Sequence, residues 1–294
     1  MILAAFGLGA AASPATPAAQ GITTLSDADI AAFLPYTHFA AVGYCRPSAT
    51  LTWSCGANCE ANPSFVPIAA GGDGDTTQFW YVGFNPPSGE IIVSHQGTNF
   101  SEIDPVLTDV DIILESVSSA LFPGAPAGIQ THMGFTASQQ KTAADILQAV
   151  QTGLSKFGPK KVTVAAHSLG AAVGILDAMF LHLQVPSDVA VRFVGYALPR
   201  VGNQAFANFV DGSGVQVQHI NNMEDLVPIL PGRFLGYHHP SGEIHIQDSG
   251  TWVSCPGQDN PSTQCSTGDV PTIFQGNPDN HNGPYQGIEM GECQ

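Results

Sequence analysis

Apolar residues recur with two different periods along the chain, and the two periods predict strands that alternate with helices. Short apolar runs rich in β-branched and aromatic residues predict buried strands. These runs cover 77–84, 90–95, 161–165, 189–198 and 215–220.

Longer stretches with a period near 3.6 predict helices between these strands. They cover 25–44, 134–157 and 171–183. In the second of them, apolar residues recur every four positions, at Ile146, Val150 and Leu154. Strands that alternate with helices indicate an α/β fold with a central, mostly parallel or mixed sheet flanked by helices.

The N-terminal residues differ from the rest in composition. Residues 1–19 hold an apolar run that is too short to span a bilayer, followed by residues rich in Ala, Pro and Thr. This pattern predicts a signal peptide, with a disordered leader as the alternative because no Lys or Arg precedes the run. Residues 20–294 contain no repeat or long linker and predict a single domain without an integral membrane segment.

The chain is acidic. Only 11% of its residues are charged, and its formal net charge is −16. A protein of this charge repels nucleic acid and anionic lipid headgroups, so neither is expected as a partner.

The cysteines indicate an oxidising compartment. Their even number, six, and wide spacing predict three disulfides and secretion to the extracellular space. A zinc site is disfavoured because no C-x₂-C pair is present. Fifteen pairings exist for six cysteines, and the two short loops are favoured. The expected pairs are Cys55–Cys59, Cys255–Cys265 and Cys45–Cys293.

The stretch 161–172, K-V-T-V-A-A-H-S-L-G-A-A, carries the most informative chemistry. An apolar strand leads into Ser168, small residues flank it at Ala166 and Gly170, and a helix is predicted to follow. This is the strand–turn–helix of a nucleophile elbow, in which a serine hydroxyl is exposed on a tight turn. The usual pattern is G-x-S-x-G, and here Ala166 takes the first position. Ser168 is therefore the candidate nucleophile.

A serine hydroxyl needs a base, and the base needs an orienting acid. In hydrolases with this elbow the chain order is Ser, then Asp or Glu, then His. Asp225 follows the predicted strand 215–220 and is the favoured acid. Glu224 is its rival, and Asp211 and Asp248 are less favoured.

Four histidines follow Asp225 and compete for the role of base. His281 is favoured because it lies in a loop-rich stretch, P-D-N-H-N-G-P-Y, where a base at a cleft mouth is expected. The other three are His238, His239 and His245. His167, beside the serine, is expected to serve packing rather than proton transfer.

Acyl transfer also needs hydrogen-bond donors for the oxyanion of the tetrahedral intermediate. One donor should be the backbone N–H after the nucleophile, at Leu169. The other should come from a loop after an earlier strand, and the S-H-Q-G-T-N stretch 94–99 offers Thr98. An ordinary glycine turn is the alternative for that loop.

Several motifs in this order resemble the filamentous-fungal lipases of class 3, the Rhizomucor and Thermomyces lipase family, which also includes feruloyl esterases. The resemblance implies an α/β-hydrolase-type fold, with Ser168, Asp225 and His281 as the triad and Thr98 and Leu169 as the oxyanion hole. It also implies the disulfide pairs named above. The motifs are Y-C at 44–45, W-S-C at 53–55, Q-G-T at 96–98, T-H-M-G-F at 131–135, A-H-S-L-G at 166–170, L-P-R-V-G-N at 198–203, D-L-V-P at 225–228 and G-Y at 236–237.

The resemblance further implies a lid, which the stretch 99–107 matches. Such a lid would cover the cleft in water and turn toward lipid at an interface. A plain surface loop is the alternative. A glycosylation sequon also begins here, at Asn99. The apolar residues of the lid candidate are Phe100, Ile103, Val106 and Leu107.

These features together predict a secreted serine hydrolase that cleaves carboxylic esters and needs no metal or cofactor. The first expectation for the substrate is triacylglycerol at a lipid–water interface. The alternatives are a feruloyl or general carboxylesterase acting on soluble esters and, outside catalysis, an inactive homologue that serves as a binding module.

Overall fold

The computed structural model describes residues 21–98 and 112–294. The predicted leader and the lid candidate, including Asn99, lie outside the described residues. Among the described residues, no helix combines the length and the apolarity needed to cross a membrane.

In the described part of the chain, the central element is a nine-stranded mixed sheet with the order β1-β13-β12-β10-β8-β7-β4-β3-β2. Its five inner strands, from β12 to β4, run parallel, whereas the outer strands on both sides pair antiparallel. The strands of this sheet are β1 (Thr23–Thr24), β2 (Val66–Gly71), β3 (Trp80–Asn85), β4 (Glu90–His95), β7 (Lys161–His167), β8 (Ala190–Tyr196), β10 (Gln216–Asn222), β12 (Glu243–Ile246) and β13 (Trp252–Cys255).

The described residues also form a second, four-stranded antiparallel sheet, which the sequence patterns did not predict. Its strands are only two or three residues long, so a period of two cannot be recognised in them. They pair in the order β11-β9-β6-β5. They are β5 (Leu114–Ser116), β6 (Gln130–His132), β9 (Gly202–Asn203) and β11 (Tyr237–His238).

Helices follow the predicted stretches with one difference. The single helix expected at 25–44 is two helices, because Pro35 has no N–H to donate to the Ala31 carbonyl oxygen and its ring clashes with that carbonyl. The described helices are α1 (Asp27–Ala31), α2 (Leu34–Val42), α3 (Pro47–Thr52), α4 (Ala57–Glu60), α5 (Met133–Phe157), α6 (Leu169–Gln184), α7 (Gln204–Ser213) and α8 (Ser266–Asp269).

The sheet is buried on both faces. In β4, Ile91 and Val93 pack into the core beneath α5 and α6, whereas Ile92 packs into a second core that contains residues of α2. Strands buried on both faces are continuous apolar runs, which is why they stand out in the sequence. The parallel inner strands bring their carboxyl ends to one edge of the sheet.

The three disulfides join the pairs favoured from the sequence: Cys45–Cys293, Cys55–Cys59 and Cys255–Cys265. The first closes a loop of 248 residues and ties the end of the chain to the segment after α2. A cross-link over so long a loop removes more conformational entropy from the unfolded chain than one over a short loop, and disulfides typically stabilise a fold by roughly 2–4 kcal/mol.

Candidate active site

Ser168 occupies a strained turn between β7 and α6. Its φ of 58° and ψ of −131° are unusual for a residue with a side chain, and it is fully buried. Gly170 allows this turn to pack against the end of β4, because a Cβ at that position would lie 2.5 Å from the His95 carbonyl oxygen. The elbow predicted from the sequence is thus present as strand, turn and helix.

The structure brings together Ser168, Asp225 and His281, which the sequence selected from separate stretches. His281 Nε2 lies 2.8 Å from Ser168 Oγ, and His281 Nδ1 lies 3.0 Å from Asp225 Oδ2. All three side chains are buried. An ionised carboxylate only accepts hydrogen bonds, so His281 carries its proton on Nδ1 and offers Nε2 to the serine hydroxyl.

The loops that carry the acid and the base are tied to each other. Asp225 follows β10, and its Oδ1 accepts a hydrogen bond of 3.0 Å from the Val227 N–H. His281 ends a 3₁₀ turn at Pro278–Asn280. Asn222 Nδ2 donates to the Asn280 carbonyl oxygen at 2.9 Å. The end of β10 therefore holds the loop that carries His281 in place.

The rival acids lie elsewhere. Asp211, on α7, accepts hydrogen bonds from the backbone N–H and the hydroxyl of Ser241, and Asp248 is exposed. Glu224 is half-buried, and its backbone oxygen accepts a hydrogen bond from the Asn277 N–H.

The rival histidines have other partners. His239 Nε2 donates to the Pro228 carbonyl oxygen, and the two ring nitrogens of His245 face the carbonyl oxygens of Gln264 and Met223. The remaining one, His238, lies 3.4 Å from Asp259.

His167 supports the backbone of His281. Its Nε2 donates to the His281 carbonyl oxygen at 2.9 Å, and its Nδ1 accepts from the Tyr44 hydroxyl at 2.6 Å. Burial, together with the nearby imidazole of His281, holds the pKa of His167 well below its usual range, so this ring stays neutral. The sequence contains no signal for the contact with Tyr44, because 123 residues separate the two side chains.

The loop after β4 passes close to the elbow at Gly97, one residue before Thr98. A Cβ at Gly97 would overlap the Tyr44 hydroxyl and come within 2.8 Å of the His167 carbonyl oxygen. Only glycine therefore fits at this position. Gln96 fixes the start of the loop through two contacts with Phe79. Its N–H donates to the Phe79 carbonyl oxygen at 2.8 Å, and its Oε1 accepts from the Phe79 N–H at 2.9 Å.

Leu169 is the first residue of α6, and the first N–H groups of a helix have no partner within that helix. The N-terminal end of a helix also carries a partial positive charge. Both features favour a negatively charged oxygen near Ser168.

An apolar groove of about 770 Å³ opens beside the acid loop, the segment after β10 that carries Asp225. Ile229, four residues after Asp225, lines it. Two 3₁₀ turns, Arg233–Leu235 and Ile273–Gln275, supply lining residues and also carry Phe234 and Phe274, which are 90% and 92% exposed. No single stretch of the sequence predicts this groove, because its walls come from separate segments. Further lining residues are Leu230, Val270, Pro271 and Ile273.

One group of residue types that bind metals occurs among the described residues. The ligand atoms of Glu243, Cys255 and Cys265 lie within 4.8 Å of one another. The two cysteines form a disulfide, so they offer no thiolate to a metal ion.

Comparisons with known proteins agree on one family. The family model described as Lipase (class 3) matches residues 92–235. The secreted mono- and diacylglycerol lipase MDL2 of Malassezia globosa is 32% identical over 237 residues, which cover 75% of this chain and 76% of that protein. The secreted mono- and diacylglycerol lipase LIP1 of the same organism is 34% identical over 217 residues, or 71% of this chain and 69% of that one.

Solved structures show the same likeness. Lipase II from Rhizopus niveus matches with a TM-score of 0.81 and 26% identity, covering 93% of this chain and 100% of that one. The Rhizomucor miehei triacylglyceride lipase matches with a TM-score of 0.80 and 25% identity over the same shares, 93% and 100%. The α/β-hydrolase-type fold expected from the sequence is confirmed.

Proposed function

The chain belongs to the class 3 lipase family, and on that premise we propose that it hydrolyses acylglycerol esters through an acyl-enzyme on Ser168. It is a secreted carboxylic ester hydrolase, in agreement with its relatives and its three disulfides. The observation that carries the proposal is the buried hydrogen-bond chain from Ser168 through His281 to Asp225.

In the first half-reaction, Ser168 Oγ attacks the ester carbonyl carbon while His281 Nε2 takes the hydroxyl proton. Asp225 stabilises the imidazolium that forms and keeps Nδ1 protonated. The N–H groups of Thr98 and Leu169 donate to the oxyanion of the tetrahedral intermediate. His281 then protonates the departing alcohol oxygen, which leaves the acyl group on the serine.

In the second half-reaction, water takes the place of the alcohol. His281 removes a proton from the water as it attacks the acyl carbonyl, and the second tetrahedral intermediate uses the same oxyanion donors. When it collapses, His281 returns the proton to Ser168 Oγ and the fatty acid leaves. Each half-reaction thus forms one C–O bond at the acyl carbon and breaks another, and His281 moves one proton in each direction.

The substrate we infer is a long-chain acylglycerol at a lipid–water interface. Apolar residues outnumber the polar residues that line the groove, although Arg200 and Arg233 are among the latter. A mostly apolar groove suits an acyl chain better than a polar ester. Phe234 and Phe274 project from its rim into solvent, where burying them in lipid would be favourable by roughly 1.5–3 kcal/mol each. The similar proteins named above are lipases of mono- and diacylglycerol and of triacylglyceride.

The assignment of the nucleophile is tested with Ser168→Ala and an organophosphate that labels activated serines. We expect wild type to be labelled once per chain and the variant to lose both labelling and ester hydrolysis. Ser155→Ala, at an exposed serine on α5, is the matched control and should behave as wild type. Hydrolysis that persists in Ser168→Ala would contradict the proposal, and an unlabelled wild type would favour a binding module.

The substrate class is tested by comparing dispersed tri-, di- and monoolein with a water-soluble butyrate ester and methyl ferulate. We expect the highest rates on dispersed acylglycerols, with a rise in rate when the substrate exceeds its solubility limit. The order among the three oleins identifies the preferred number of acyl chains. Faster turnover of methyl ferulate or the soluble ester would instead identify a feruloyl esterase or a general carboxylesterase.

A further inference from the structure

A buried hydrogen-bond network lies outside the triad, at the start of the loop that carries Thr98. His95 Nε2 lies 2.6 Å from Asp177 Oδ2, and the two side chains are 1% and 0% exposed. The other oxygen of Asp177 accepts a hydrogen bond of 2.8 Å from Gln139 Nε2. The network therefore joins three elements, since His95 is in β4, Asp177 in α6 and Gln139 in α5.

A buried carboxylate and its polar partner are a weak source of stability, because the loss of contact with water offsets most of their attraction. An aliphatic pair of similar volume would hold the core at least as well. The position of the network is therefore more informative than its energy. His95 is the last residue of β4, three residues before Thr98, and Asp177 lies on the helix that begins at Leu169.

The backbone of His95 is held as closely as its side chain. A Cβ at Gly170 would lie 2.5 Å from the His95 carbonyl oxygen, and a Cβ at Gly43 would lie 2.7 Å from the same atom. The end of β4 is thus enclosed between the elbow and the end of α2. The side-chain link to Asp177 adds a directional contact to the nucleophile's own helix.

We propose that His95 and Asp177 are positioning residues for the oxyanion hole, holding the end of β4 in register with α6 so that the Thr98 N–H faces the reacting carbonyl. This inference rests on the proposed function. The hydrogen bond to His95 fixes the orientation of the strand end, and Gln139 holds the carboxylate of Asp177 in the matching rotamer.

A positioning role and a plain stabilising role give different kinetics. Oxyanion donors act on the transition state, so their displacement lowers kcat and leaves KM nearly unchanged. Losing one donor costs about 10²–10³-fold in rate, and a displaced donor should cost about 10–100-fold. A weakened core instead lowers the melting temperature and leaves kcat unchanged at temperatures where the protein is folded.

Three variants probe the pair. His95→Phe keeps a ring without the hydrogen bond, and the double variant His95→Phe/Asp177→Leu also removes the buried charge and so protects folding. Asp177→Asn keeps the shape, because its oxygen can accept from His95 while its amide donates to a reoriented Gln139. We expect His95→Phe and the double variant to lose about 10–100-fold in kcat, and Asp177→Asn to keep most of it.

The matched control is Tyr36→Phe. The Tyr36 hydroxyl donates to Glu90 Oε1 at 2.8 Å, so this variant removes a buried hydrogen bond to a carboxylate at the opposite end of the same strand. It should lower the melting temperature and keep kcat within twofold of wild type.

The readouts are kcat and KM on a soluble butyrate ester, the inhibition constant of an alkyl trifluoromethyl ketone, and the melting temperature. The ketone forms a hemiketal oxyanion on the serine, so its affinity should fall by the same factor as kcat. If His95→Phe and the double variant keep kcat and ketone affinity within twofold while an organophosphate still labels Ser168, the positioning role is wrong and the proposed function stands. A wild type that resists both reagents would overturn both.

Discussion

Replacing the carboxylate of Asp225 by an amide tests the triad most directly, because the surrounding donors decide how the amide lies. Asp225 Oδ1 accepts from the Val227 N–H at 3.0 Å, and Oδ2 faces His281 Nδ1 at 3.0 Å. In Asp225→Asn the single oxygen must satisfy the Val227 N–H. The amide NH₂ then faces His281 Nδ1, which becomes an acceptor, and the ring proton moves to Nε2. A ring protonated on Nε2 cannot take the proton of Ser168.

The opposite orientation of the amide is no better. Its NH₂ would then face the Val227 N–H, and a buried donor without an acceptor costs about 1–3 kcal/mol. Either way, the charge that stabilises the imidazolium is lost. Two unit charges 3.0 Å apart interact by about 5.5 kcal/mol at an effective dielectric constant of about 20. This energy corresponds to about 10⁴-fold in kcat, since about 1.36 kcal/mol is a factor of ten.

The assay is hydrolysis of a soluble butyrate ester, with kcat and KM measured at pH 8 and folding followed by the melting temperature. We expect kcat of Asp225→Asn to fall about 10⁴-fold with little change in KM. Glu224→Gln, at the neighbouring carboxylate, is the control and should keep kcat within twofold. A loss of less than tenfold in Asp225→Asn, with the protein folded, would refute the role given to Asp225.

Three further expectations concern the oxyanion loop, the interface and acid stability. Gly97→Ala should lower kcat by about 10²–10³-fold, because its methyl group displaces the loop that carries Thr98. An unchanged kcat on the soluble ester would argue against the Thr98 N–H as an oxyanion donor. The double variant Phe234→Ser/Phe274→Ser should slow hydrolysis of dispersed triolein and leave hydrolysis of the soluble ester unchanged. The control Leu51→Ser, at an exposed leucine elsewhere, should affect neither rate. Equal losses on both substrates would contradict docking through these phenylalanines. Burial lowers the pKa of His239 to about 3, below the unfolded value of about 6.5. The neutral ring therefore contributes fully to stability above about pH 6.5, and this contribution is lost as the pH falls from there toward about 3. The variant His239→Gln should therefore reduce the slope of the unfolding free energy against pH by about 1.4 kcal/mol per pH unit between pH 6 and 4. Urea titration at several pH values measures this slope. An unchanged slope would mean that the His239 ring is not held neutral.

The elements recognised from the sequence are those whose signal is local. The inner strands are buried on both faces, so they appear as unbroken apolar runs, and α5 shows one apolar stripe along its length. The helix predicted at 25–44 is divided because Pro35 interrupts the hydrogen-bond pattern, a local rule that the periodicity did not include.

The short strands of the second sheet have no such signal. Strands of two or three residues form because neighbouring segments are brought together by the larger fold, not because of their own propensity. The apolar groove has the same origin. Its walls come from turns far apart in sequence, and no single stretch reveals that they face one another.

By itself, the sequence determined the residue types and the order of the chemistry: a serine on a strand–turn–helix, then an acid after a strand, then a histidine in a loop. It also determined the secretory pattern of cysteines. Only the tertiary structure decided which acid and which of the histidines meet Ser168, because hydrogen bonds of about 3 Å depend on where parallel strands end and how their loops are tied. The same holds for the Tyr44–His167 contact and the His95–Asp177 pair, which are 123 and 82 residues apart in sequence and adjacent only after the sheet has formed.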